Sequence, residues 1–200
     1  RDKISENSDT TIPLVLTSGS VCAQAQTIKG GEESGPGSIW SALWEADEIG
    51  ILLQARFGMA CFSTLNRNDG PVSATPEKPL PAYWALKLLS TRMKGRVIPA
   101  LGHFADVSVY ATQDPKTKDV SLFFVNKVDH YYHVKILLNN QDADMVVDAG
   151  LNQRFDYEIP SFSISVLKIK ADRSPGEAAL YTSKMARAGL EPTVSVIRPW

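Results

Sequence analysis

The chain has 200 residues, 44% hydrophobic and 22% charged, with 21 Lys and Arg against 22 Asp and Glu for a formal net charge of −1. That composition can bury a core in one generous domain or two small ones, and its dispersed charge excludes the concentrated basic patches of nucleic-acid and membrane-surface binders. Two cysteines, Cys22 and Cys61, and three histidines, His103, His130 and His133, supply neither a disulfide framework nor zinc-ligand spacing, so no metal and no cofactor is expected.

No apolar run approaches the roughly 20 residues a membrane helix needs, and Arg1, Asp2 and Lys3 open no signal-peptide pattern. A mature protein, or one whose front is missing, is the expectation. After a polar lead over 1–11, residues 12–18 read as a short buried strand ending in the small polar residues Thr17, Ser18 and Ser20. A glycine-rich loop over 30–37 follows, then Ser38 as a helix N-cap. Ile39, Leu43, Ala46, Gly50 and Leu53 recur at helical spacing, with Trp40 widening the stripe. This predicts a helix from about 38 to 55 that lays one face on a sheet. Residues 58–64 read as a second buried strand, adjacent and parallel to the first. Cys61 within it reads as a buried small thiol, a bridge to Cys22 being left open. A long loop over 66–79 comes next. Pro81 then opens a second helix, carried by Ala82, Leu86, Leu89 and Met93 and stopped at Lys94 and Gly95.

From Phe104 the period changes to two. Val107, Val109 and Ala111, then Val120, Leu122 and Phe124, then Val134, Ile136 and Leu138, then Phe162, Ile164 and Val166 alternate with polar or outward positions. Turn residues over 113–118, 139–142 and 148–150 separate these runs, as antiparallel strands require. The pattern expected is α/β plus all-β: βα units of a parallel barrel, a boundary near 95–104, then an antiparallel β-sandwich. Residues 173–200 read as a C-terminal extension with a short helix around 178–188. Barrel chemistry sits where strands end at the C-terminal face, which directs attention to Thr17, Ser18 and Ser20.

Asp69, Gly70 and Pro71, followed by Leu80, Pro81, Ala82, Tyr83 and Trp84 and the apolar helix to Leu89, resemble the loop and last barrel helix of the heparanase and β-glucuronidase group of clan A glycoside hydrolases. Residues 120–126 and 159–167 are similar to the sandwich strands of that group and of arabinofuranosidase-like enzymes. The resemblance, over about 12–170, implies the last βα units of a (β/α)8 TIM barrel over 1–100 followed by the β-sandwich over 101–172, as part of a retaining glycoside hydrolase acting on a poly- or oligosaccharide, extracellular or periplasmic, with carbohydrate as its partner. In that family the strand matching 12–17 ends in the nucleophilic glutamate, and here that position is Ser18. A serine hydroxyl is not ionised at neutral pH and cannot replace the carboxylate that a retaining mechanism needs about 5–5.5 Å from its acid. Asn66, Arg67 and Asp69 follow the second strand on the same face, where polar side chains can bond sugar hydroxyls.

The acid/base would lie on an earlier strand, and a full barrel needs about 250 residues. A missing N-terminal barrel portion or a second chain is therefore expected to cover the open sheet edge. The alternative is a catalytically silent glycan-binding or structural relative. Other readings are plainer. Glu32 and Glu33 read as a solvated loop, and Glu45, Asp47 and Glu48 as a solvated helix face. Trp40, Trp44, Tyr83 and Trp84 read as packing. The run His130, Tyr131, Tyr132 and His133 resembles an aromatic binding strip, but alternation would split it between two faces.

Overall fold

A computed structural model describes residues 15–16, 26–27, 33–34, 37–62, 72–74, 77–102, 104–138, 145–147, 154–172 and 176–197. In chain order the strands are β1 (Val15–Leu16), β2 (Gln26–Thr27), β3 (Glu33–Ser34), β4 (Met59–Ala60), β5 (Val72–Ala74), β6 (Glu77–Pro79), β7 (Arg96–Ile98), β8 (Ala100–Gly102), β9 (Val107–Gln113), β10 (Val120–Asn126), β11 (Tyr132–Leu137), β12 (Met145–Val147), β13 (Arg154–Ile159), β14 (Ser163–Ile169), β15 (Glu177–Thr182) and β16 (Thr193–Val196). The helices are α1 (Ile39–Gln54), α2 (Pro81–Arg92) and α3 (Ser183–Ala188).

The expected strand pair is present: β1 runs parallel to β4, with Val15 opposite Met59 and Leu16 opposite Ala60. Between them lies α1, whose start and end agree with the helical spacing. Ser38 holds the N-cap position with extended backbone, but its side chain makes no cap bond, and its carbonyl instead accepts from Ser41 Oγ at 2.8 Å. Pro81 sits in the first turn of α2, where its missing N–H costs nothing. Past α2, Gly95 adopts φ +97°, and a Cβ there would collide with the Gln113 carbonyl. Glycine is what lets the chain turn so closely into β7.

The remaining strands form two sheets. Six pair antiparallel in the order β16-β15-β14-β10-β9-β7, and four form a mixed sheet in the order β13-β11-β12-β8. The sheets share one core: Val107, Val109, Ala111, Val120, Leu122, Phe124 and Leu167 from the larger meet Val134, Ile136 and Ile159 from the smaller. The opposite face of the six-stranded sheet is buried too. There Tyr110, Phe123, Val125, Ile164, Val166, Ala179 and Tyr181 pack against Ile39, Leu43 and Ala46 of α1 and Trp84, Leu88 and Leu89 of α2. The six-stranded sheet is thus the middle layer, which is why β10 is buried along its whole length and does not alternate with outward polar residues.

Several expectations change. Ile164 and Val166 face the helices, not the sheet-to-sheet core, because β14 turns Ser163, Ser165 and Leu167 the other way. The turn over 139–142 was expected to reverse the chain, yet β11 and β12 run parallel, with Ile136 opposite Met145. The stretch expected to be a helix around 178–188 is β15 followed by the six-residue α3. Ala178 and Ala179 favour helix locally, but they enter the two different cores on alternate faces, and tertiary packing overrides propensity. Pairing in this sheet accordingly begins at Arg96 and runs to Val196, across the limits expected near 101 and 172. The strand expected over 58–64 is described only as Met59–Ala60.

Candidate functional site

The parallel pair sets the geometry. Cys61 N–H donates to Leu16 O at 2.8 Å, so the chain leaves β1 and β4 side by side, in the same direction, at the C-terminal ends of both strands. Thr17, Ser18 and Ser20 follow β1, and Asn66, Arg67 and Asp69 follow β4. All six lie outside the described residues, as do Cys22, His103 and Glu32. Cys61, expected as a buried thiol, is an exposed free cysteine. It follows a two-stranded ladder in which Val15 and Met59 are 43% and 53% exposed.

The carboxylates of α1 do not form a solvated face. Glu45 is buried at 4% exposure, and burial, with the charge of Glu48 as a smaller cause, raises its carboxyl to about 7. Burial raises Glu48 as well, and its Oε2 is enclosed without a hydrogen-bond partner. Asp47 ties the helix to the sheet. Tyr110 donates its O–H to Asp47 Oδ1 at 2.7 Å and lies 3.2 Å from the Asp47 carbonyl. Lys127 Nζ meets Asp47 Oδ2 at 3.1 Å and Ser108 Oγ at 3.1 Å. Gly50 makes this possible, since a Cβ at that position would collide with the Tyr110 ring. The sequence signal was present, an acidic residue three positions before a mid-helix glycine, but its partner on β9 is 63 residues away.

Of the tryptophans, Trp40 packs edge-on to Phe162 at 5.1 Å and Trp84 is buried. Trp44, expected in the core, is 42% exposed, as is Ile51 at 55%, on a face of α1 that no described element covers. A groove of about 630 Å³ opens at the far end of α2, lined by Arg92, Lys94, Asp119, Lys168, Lys170 and Glu177 among others. Ion pairs join residues of its lining, Arg92 to Glu177 at 2.7 Å and Lys170 to Asp119 at 3.2 Å. Among the described residues no group of three or more His, Cys, Asp or Glu is placed to hold a metal ion, and no described helix is long and apolar enough to cross a membrane.

No family model matches the chain, and no curated protein matches it. Solved structures do share its fold. An arabinose-bound GH51 α-L-arabinofuranosidase superposes with a TM-score of 0.60 at 13% identity, covering 83% of this chain and 34% of that one. The thermostable GH51 α-L-arabinofuranosidase of Thermotoga petrophila RKU-1 gives 0.57 at 11% identity, over 79% of this chain and 43% of its own. A GH30 endoxylanase of Clostridium papyrosolvens C71 gives 0.55 at 12% identity, over 76% and 40%. The chain spans less than half the length of each, and at these identities the likeness is one of fold.

Proposed function

We propose that this chain is the C-terminal part of a retaining glycoside hydrolase of clan A, nearest in kind to the heparanase and β-glucuronidase group, with Ser18 at the nucleophile position. The observation that carries the reading is the order of parts: a parallel β1–β4 pair bridged by α1, then α2, then two facing sheets, an arrangement shared in fold with GH51 and GH30 enzymes. In this reading residues 1–100 complete a TIM barrel begun elsewhere, and the sheets form the sandwich that props it. The substrate is a glycosidic bond of a poly- or oligosaccharide, held in part by Asn66, Arg67 and Asp69 beyond β4, in an extracellular or periplasmic setting. The rest of the barrel, on a preceding segment or a second chain, brings the acid/base.

A retaining reaction needs one carboxylate to attack the anomeric carbon and one acid to protonate the leaving oxygen. With serine at the attacking position, hydrolysis of aryl glycosides is expected to be absent or very slow. In the complete assembly Ser18→Glu is expected to restore turnover, because nucleophile and acid act as a pair. A panel of aryl arabinofuranosides, xylosides and glucuronides, assayed with and without the substitution, tests this. Full hydrolysis with Ser18 intact would show that Ser18 is not at the nucleophile position. Failure of Ser18→Glu on every substrate favours the second reading, a catalytically silent glycan-binding or structural relative, which the serine itself motivates.

A further inference from the structure

The run His130, Tyr131, Tyr132 and His133 resolves into two ring pairs on opposite sides of the four-stranded sheet. In the first pair Tyr132 packs against the core while His130 is exposed. Tyr132 lies tilted 4.7 Å from Phe104 and 4.8 Å from His130, and its hydroxyl is 2.9 Å from His130 Nε2. The outer pair is different. Tyr131 meets His133 edge to face at 5.3 Å and is 60% exposed, while Val134, Ile136 and Ile159 point the other way into the core. Antiparallel register places Glu158 opposite His133 and Asp156 opposite Lys135, all four exposed, with His133 Nδ1 3.6 Å from Glu158 Oε2.

The outer face therefore carries an aromatic ring at one end of two rows of hydrogen-bonding side chains. Residues two apart on a strand are about 7 Å apart, so Tyr131 to Lys135 spans about 14 Å, room for roughly two or three sugar rings. Imidazole and ammonium supply donors, and the two carboxylates supply acceptors. Asp156 and Glu158 stand against Lys135, with Arg154 next in the same row, so the face carries no excess of positive charge to hold a polyanion, while a neutral sugar chain, whose hydroxyls both donate and accept, suits its mixed donors and acceptors.

We propose that this face, centred on Tyr131 and bordered by His133, Lys135, Asp156 and Glu158, binds a neutral polysaccharide chain apart from the strand-end site. Tyr131 stacks on the apolar face of a sugar ring, and the four polar side chains bond hydroxyls of that ring and its neighbours. The choice of a glycan rests on the hydrolase reading above; the placement of the face does not depend on Ser18.

Electrophoresis of the 200-residue protein through gels containing arabinan, xylan or heparin tests this. Retardation by at least one of the two neutral polysaccharides is expected. Tyr131→Ala should weaken it about tenfold, the scale of one lost stacking contact, while Tyr131→Phe retains it and Glu158→Gln weakens it a few-fold. Circular dichroism and melting should be unchanged throughout, since the side chains are exposed. Ser18→Ala should leave retardation intact. No retardation by either neutral polymer, retardation by heparin alone, or an undiminished effect in Tyr131→Ala overturns the inference. Loss in Ser18→Ala but not in Tyr131→Ala puts the sugar at the strand ends, which overturns this inference and leaves the proposed function standing.

Discussion

Glu45 is held on α1 with one charged neighbour of the same sign, Glu48, a turn away, and burial lifts its carboxyl from 4.5 to about 7. A carboxyl whose folded value lies above its unfolded value favours folding only while protonated. That contribution is complete below about 4.5 and is lost as pH rises through about 7. Above both values the penalty is on the order of 3 kcal/mol. Glu45→Gln keeps the shape and removes the charge, so it should raise the melting temperature at pH 8 by several degrees and have little effect at pH 4.5. Thermal melts at the two pH values check this, and an equal shift at both would mean that charge burial is not the cause. Across the same interface, Tyr110→Phe removes the hydrogen bond to Asp47, which chemical denaturation should register as a loss of roughly 1.5–3 kcal/mol. Gly50→Ala should destabilise by driving a methyl into the Tyr110 ring, and Tyr110→Ala in the same chain should relieve part of that loss. Additive costs in the double variant would show that the ring and the glycine do not meet.

At the scale of elements, the six-stranded sheet owes its thickness to α1 and α2 on one side and the four-stranded sheet on the other. β15 serves both layers, with Ala178 in one core and Ala179 and Tyr181 in the other. α3 then caps the turn back to β16 through Thr182, whose hydroxyl accepts from Met185 N–H at 3.4 Å, and Gly189 in the left-handed region. A chain truncated after Lys170 loses β15 and opens both cores at once. It should fail to show a cooperative melt by circular dichroism. A truncation after Gly189 removes the exposed β16 and Ile197, which packs at the margin of one core, and should melt cooperatively a few degrees lower. Retention of a full cooperative transition in the shorter chain would separate 177–196 from the folding unit.

For the whole molecule, the exposed large apolar side chains include Trp44 and Ile51 on the helical layer and Val15 and Met59 on the two-stranded ladder. Sheet edges and apolar patches of this kind recruit partners. The 200-residue protein on its own is therefore expected to bind a hydrophobic dye and to self-associate with rising concentration, while Trp44→Glu with Met59→Lys suppresses both. Light scattering coupled to gel filtration, with dye fluorescence on the same samples, is the check. A dye-silent monomer at all concentrations would mean that the ladder and α1 need no cover.

Local signals in the sequence determined where α1 and α2 lie and that a period of two takes over past residue 104. Each depends on short-range chemistry: Pro81 at a first turn, Gly95 beyond a helix end, apolar residues every three or four positions and then every two. The tertiary structure alone decided which face each strand shows to which layer. Phe123 and Ile164 are apolar whichever way they point, and only the docking of α1 and α2 makes their side of the sheet an interior. It also decided that Ala178 and Ala179 are strand and that Glu45 is buried, since burial is a property of what lies across from a residue. The residues expected to carry the chemistry, Ser18, Asn66, Arg67 and Asp69, are placed by sequence at the exits of two parallel strands. They lie outside the described residues, and what they would meet is an adjacency between distant segments, which cannot be read from the spacing within one.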